Sequence, residues 1–129
     1  MTTLSEQLAS DALDAQKFTR KYFVLELDFS ENSVQELDAQ FDAARYAMRG
    51  GLTPENIEQL RKLWGAYLGE VLRRKAGGEW LLESIDGEER IVLQGKSISV
   101  SPHERVVARI KEGPSQSIWK FFQDTKSQL

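Results

Sequence analysis

The sequence predicts a single α+β domain over residues 1–129, with about five helices packed on a small, mainly antiparallel sheet. Three observations carry that expectation. Apolar residues recur at spacings of three and four through most of the chain, a period-two pattern replaces that spacing in places, and the strand-like segments between about 79 and 100 follow one another with no helix between them. A length of 129 residues is that of one domain. Leu, Ile, Val and Phe supply 34 of the residues, about 26%, where disordered chains fall below roughly 20%.

Leu4, Leu8, Ala12, Ala15, Phe18 and Tyr22 form one stripe, which predicts a helix over 4–22. The period then changes. Phe23, Leu25, Leu27 and Phe29 alternate with Val24, Glu26, Asp28 and Ser30, the pattern of a half-buried strand over about 23–29. Ser33 and Glu36 have capping-box spacing, so a second helix is expected to start there. Its stripe is Val34, Leu37, Phe41, Ala44 and Met48, and Gly50-Gly51 stops it. Thr53-Pro54 opens a third helix, with proline where a missing N–H costs nothing. Ile57, Leu60, Trp64, Tyr67, Leu68 and Val71 give it a broad core face, and Gly77-Gly78 closes it.

Asp86-Gly87 suits the positive φ angles of a type I′ turn between Trp80–Ile85 and Glu88–Leu93. That register sets Trp80 against Leu93, Leu82 against Ile91 and Glu83 against Arg90. Opposite charges meet and apolar residues meet. Gly95-Lys96 turns the chain into a short third strand with Ile98 and Val100 inward. Ser101-Pro102-His103-Glu104 is a second capping box, opening a helix with Val106, Val107 and Ile110 that Gly113-Pro114 ends. A last helix from about Ser115 carries Ile118, Trp119 and Phe122.

Composition narrows the chemistry. There is no cysteine, which excludes disulfides, thiolate catalysis and thiolate metal sites. The net charge of −3 is not the strongly basic footprint of a nucleic-acid binder, so no nucleic acid is expected as a partner. No apolar run approaches the roughly 20 residues of a bilayer span, and the acidic start MTTLSEQLASDALD lacks the apolar stretch of a secretory signal. A cytoplasmic protein without membrane contact is the expectation. The charge is unevenly divided: residues 1–60 hold 11 acids and 5 bases, residues 61–129 hold 9 and 12. That polarity fits either two faces of one domain or a surface made for a charged partner.

The single histidine, His103, falls in the first turn of a capped helix, where exposure is expected and a catalytic role is not. Glu26 and Asp28 share one strand face, too few oxygens for a hard cation. Neither a metal nor a cofactor is expected. Gly65 and Gly69 stand four apart inside a helix, where each costs about 0.8–1.0 kcal/mol against alanine. Close approach of a neighbouring element explains them best. Trp119 and Phe121 cannot both turn inward beside Ile118 and Phe122, so one is expected as an exposed anchor.

The segment Leu63–Trp80, LWGAYLGEVLRRKAGGEW, resembles a recurrent pattern in small bacterial domains of unknown function: Gly-x-Tyr-Leu-Gly-Glu in a helix, a Gly-Gly break, then a tryptophan-bearing strand. Leu27–Leu37, Ser101–Gly113 and Ser115–Phe122 are similar to the same group. Some of those domains look like immunity or accessory proteins beside toxin systems, so the resemblance implies a binding role and transfers no catalytic residue.

Two functions follow as expectations. The first is a non-catalytic binding or regulatory module that engages another protein, with a homodimer as a further form of that association. The other is a small-molecule-binding domain or enzyme with Tyr67 and Glu70 in a pocket between helix and sheet. Tyr67, Glu70, Trp119 and Phe121 are the candidate binding residues.

Overall fold

The computed structural model describes residues 2–129. It is an α+β domain whose centre is one helix, α4 (Pro54–Ala76), in which every residue from Leu63 to Leu72 is buried. Helices α1 (Leu4–Phe23) and α5 (Pro102–Glu112) flank α4. Helices α2 (Glu31–Asp38) and α6 (Ile118–Lys126) pack on each other, and α6 also touches α4. A central helix with neighbours on several sides needs apolar residues around most of its girth, which explains why its core face is so broad. No helix among the described residues is long and apolar enough to cross a membrane.

The sheet has the order β1 (Glu79–Ile85), β2 (Glu88–Gln94), β3 (Ser99–Val100), all antiparallel. Trp80 opposes Leu93, Leu82 opposes Ile91 and Glu83 opposes Arg90, the register the turn residues predict. Asp86 and Gly87 have φ of 51° and 82°, both in the left-handed region a type I′ turn requires. The hairpin's inner end is buried at Trp80 and Leu93, whereas Leu82 is 56% exposed. Its deepest burial is thus at that end, while Ile91, half-buried, also packs against the core.

The expected strand over 23–29 does not pair. Val24 takes a left-handed conformation, φ 53° and ψ 40°, as the C-cap of α1. Phe29 turns left-handed again at φ 65°. Between them the chain is unpaired, and its burial still alternates: Leu27 is buried and Leu25 half-buried, while Glu26 and Asp28 are exposed. The two-residue period is present, but no strand among the described residues pairs with it.

The second helix also differs from its expectation. Its N-cap is Ser30, whose hydroxyl accepts the Ser33 N–H at 3.1 Å, so the helix starts three residues early and ends at Asp38. A 3-10 turn (Phe41–Ala43) and one helical turn, α3 (Ala44–Ala47), follow. Val34, Leu37, Phe41, Ala44 and Met48 are nonetheless all buried. The last helix starts at Ile118 with Ser117 as N-cap, after a 3-10 turn over Pro114–Gln116.

Candidate functional site

Tyr67 and Glu70 lie inside the domain, at 0% and 1% exposure, because both fall on the enclosed stretch of α4. They are not surface binding groups. The Tyr67 oxygen accepts the Phe29 N–H at 2.7 Å and lies 2.6 Å from Ser33 Oγ. Ser33 gives its one hydroxyl proton to the Ser30 carbonyl at 2.6 Å, so Tyr67 donates to Ser33. A continuous chain therefore runs from Phe29 N–H through both hydroxyls to Ser30. Burial pushes the Tyr67 phenol above its usual range, against the bonds from Ser33 and Phe29. A phenol so engaged holds its proton and has no hydrogen left for a ligand.

Glu70 accepts from Arg73 Nε at 2.7 Å, Arg73 Nη2 at 3.2 Å and the Trp80 indole N–H at 2.9 Å. Burial pushes its carboxyl upward, but the Arg73 and Trp80 hydrogen bonds and the charges of Arg73 and Arg74 outweigh that and hold it below the ordinary glutamate value. Arg74 lies over the Phe29 ring at 3.8 Å. The basic end of α4 thus serves internal partners as well as the helix dipole. Both oxygens of Glu70 are occupied, and the arrangement anchors the hairpin.

His103 is 1% exposed, contrary to the expectation of a surface position. The capping residues do form the first turn of α5, with Ser101 Oγ accepting the Glu104 N–H at 3.4 Å. They do not decide which side of that turn meets α4. A Cβ on Gly65 would lie 2.6 Å from the His103 ring and 2.8 Å from its Cα, so Gly65 admits α5 to the surface of α4. The ring meets Trp80 edge-on at 5.8 Å between centroids. Its Nδ1 is buried without a hydrogen-bond partner. Burial, aided by the Arg61 charge, pushes the imidazole down to about 4.

Gly69 plays the same part for the hairpin: a Cβ there would overlap the outer carbons of the Trp80 ring. The two glycines expected to mark a close approach thus receive α5 and β1 side by side.

The open concavities lie elsewhere. Two adjoin at the outer side of α5 and α6, about 330 Å³ and about 340 Å³, and share Val100, Arg105 and Phe121. Arg105 Nη1 donates to Gln116 at 2.5 Å, and its guanidinium lies 5.0 Å from the Phe121 ring centre. Glu104 in the first concavity pairs with Arg61 at 3.3 Å. Lys120 and Asp124 line the second. Arg105 takes part in none of the salt bridges among the described residues. Phe121 is half-buried here. Trp119, also half-buried, stacks on Phe122 with centroids 5.9 Å apart and lines neither concavity.

The structure therefore separates the four candidates into an internal pair, a groove residue and a stacking residue. Arg105 was missed by sequence reasoning. Its local sequence does not distinguish it from Arg109 and Lys111 of the same helix. No group of three or more potential metal ligands occurs among the described residues. No family model matches the chain, and neither curated proteins nor solved structures give a match.

Proposed function

We propose that the chain is a non-catalytic binding module of the cytoplasm that engages another protein through the groove shared by Val100, Arg105 and Phe121. The observation that carries this reading is the state of Arg105. It is a half-buried guanidinium stacked near an aromatic ring, held by a neutral amide and without a carboxylate partner among the described residues, at the junction of two open concavities. Such a group favours a partner segment that brings a carboxylate to the guanidinium and an apolar side chain to Phe121 and Val100. Aromatic and arginine side chains together are the commonest anchors of protein interfaces. The resemblance of Leu63–Trp80 to small bacterial domains of unknown function, some of them immunity-like, supports the same class of function.

The enzyme alternative has less to stand on. Tyr67 and Glu70 are committed to internal hydrogen bonds, and the two groove concavities are lined by other residues. The test is affinity capture from the source cell with the intact chain and with Arg105→Glu and Phe121→Ser, each checked for folding by circular dichroism. A polypeptide held by the intact chain and lost by both folded variants is the expected result. Equal retention by both variants overturns the groove as the contact.

A further inference from the structure

We infer a second docking edge, independent of the groove: the unpaired segment Leu25–Asp28, which receives an extended, basic segment of a partner protein by strand addition. The segment has the side-chain alternation of a strand and pairs with no strand among the described residues. In an extended chain successive residues direct their N–H and C=O groups to opposite edges. The Leu27 carbonyl accepts from Gln16 Nε2 of α1 at 2.6 Å, which fixes one edge against that helix. The backbone groups of Glu26 and Asp28 accordingly point to the other edge. Neither residue makes a backbone–backbone hydrogen bond with another described residue. Val24, the left-handed cap that precedes the segment, is 90% exposed. An edge of this kind is a template for another strand.

Charge selects the occupant. Glu26 and Asp28 are the exposed side chains of the segment, and the first 60 residues carry 11 acids against 5 bases. Arg20 reaches Glu26 at 2.7 Å, whereas Asp28 is held only by Ser30, with Lys75 of α4 close enough to be felt. A second copy of the chain is the wrong partner. Antiparallel pairing centred on Glu26 would oppose Glu26 to itself, and pairing centred on Leu27 would oppose Glu26 to Asp28, and like charges directly opposite destabilise a sheet. A strand with Lys or Arg opposite Glu26 and Asp28 has the complementary pattern.

The test uses the full chain, ¹⁵N-labelled, and two synthetic probes: acetyl-Thr-Lys-Val-Lys-Val-Thr-amide and the same peptide with Glu in place of both Lys. The lysine peptide should shift the Glu26 and Asp28 amide signals saturably and slow exchange of the Glu26 amide. The glutamate peptide should bind at least about threefold more weakly. Glu26→Pro, which removes the outward donor and no internal backbone bond, should abolish the response, while Phe121→Ser should leave it unchanged and so separate this edge from the groove. Absence of a saturable shift at Glu26, an equal response to both peptides, or a Glu26 amide already protected in the free chain overturns the inference.

Discussion

The Trp80 indole N–H donates to the Glu70 carboxylate across 2.9 Å, and that single bond joins the first strand of the hairpin to the central helix. Gly69, one residue earlier on α4, leaves the space that the indole fills. Position and anchor are adjacent in sequence, so the fit between hairpin and helix depends on three residues. Removing either the space or the acceptor should weaken it.

Gly69→Ala should destabilise the chain by about 1–3 kcal/mol through overpacking, although alanine in a helix normally gains about 1 kcal/mol over glycine. The indole cannot swing aside without losing Glu70. Gly65→Ala should behave alike, since its Cβ would meet the backbone as well as the ring of His103. Urea melts of both variants check the sign, and a stability gain in both would refute close packing on this face.

Glu70→Ala should cost about 1–3 kcal/mol, the penalty for leaving a buried donor, here Trp80 Nε1, without an acceptor. Glu70→Gln keeps an acceptor and should recover part of that. Because the folded state holds this carboxyl below its ordinary value of 4.5, its contribution is complete above that pH and is lost as pH falls through the lower folded value. Denaturant melts of the intact chain and Glu70→Gln at pH 5 and pH 3 should converge as the acid removes the charge.

His103 produces a separate, higher pH window. Burial holds its folded imidazole at about 4, while an unfolded histidine takes its proton at about 6.5. The unfolded chain therefore binds more protons between those values. Stability is full above about pH 6.5 and falls toward pH 4, by up to about 3 kcal/mol. His103→Gln should flatten that slope in melts taken between pH 7 and pH 4.5. A flat profile for the intact chain across the same range would show that the imidazole is not held neutral by the fold.

Asp38 ties three helices together. It accepts from Arg109 Nε of α5 at 3.1 Å, from the Ser117 hydroxyl at 2.5 Å and from the Ile118 N–H that begins α6 at 3.2 Å. Arg109 is 5% exposed, and its remaining carboxylate is Asp42 at 3.5 Å. Asp38→Ala should lower stability by about 3–5 kcal/mol, as removal of one partner of a buried ion pair does. Asp38→Asn should fall between, and equal melting of all three chains would contradict the tie.

What could be read from the sequence was what local chemistry decides. Asp86-Gly87 and the facing charges of Glu83 and Arg90 contain the whole hairpin register within a few residues. Thr53-Pro54 and Gly77 bound the central helix in the same way. Phe23–Phe29 carried an equally clear strand pattern, but a strand needs a neighbour, and no local residue records that one is missing. His103 failed for a related reason: Ser101 and Glu104 define a helix start, while the side it turns toward depends on Gly65, almost forty residues away. Tyr67 and Glu70 looked like site residues because their types are chemical, yet their partners Phe29, Ser33 and Trp80 come from the α1–α2 connection, α2 and β1. The expectation of an exposed Trp119 or Phe121 did not hold, since both are half-buried, and nothing local marks Arg105 beside Phe121.

The proposed binding groove is tested most directly by photo-crosslinking from its centre. A chain carrying benzoylphenylalanine in place of Phe121, irradiated in the source cell, should form a covalent adduct with a discrete polypeptide. Adding Arg105→Glu to that chain should abolish the adduct, while the same label at exposed Glu88 on the hairpin should give none. Adducts of equal yield from positions 121 and 88, or an adduct from 121 that survives Arg105→Glu, would contradict a partner held in the groove of Val100, Arg105 and Phe121.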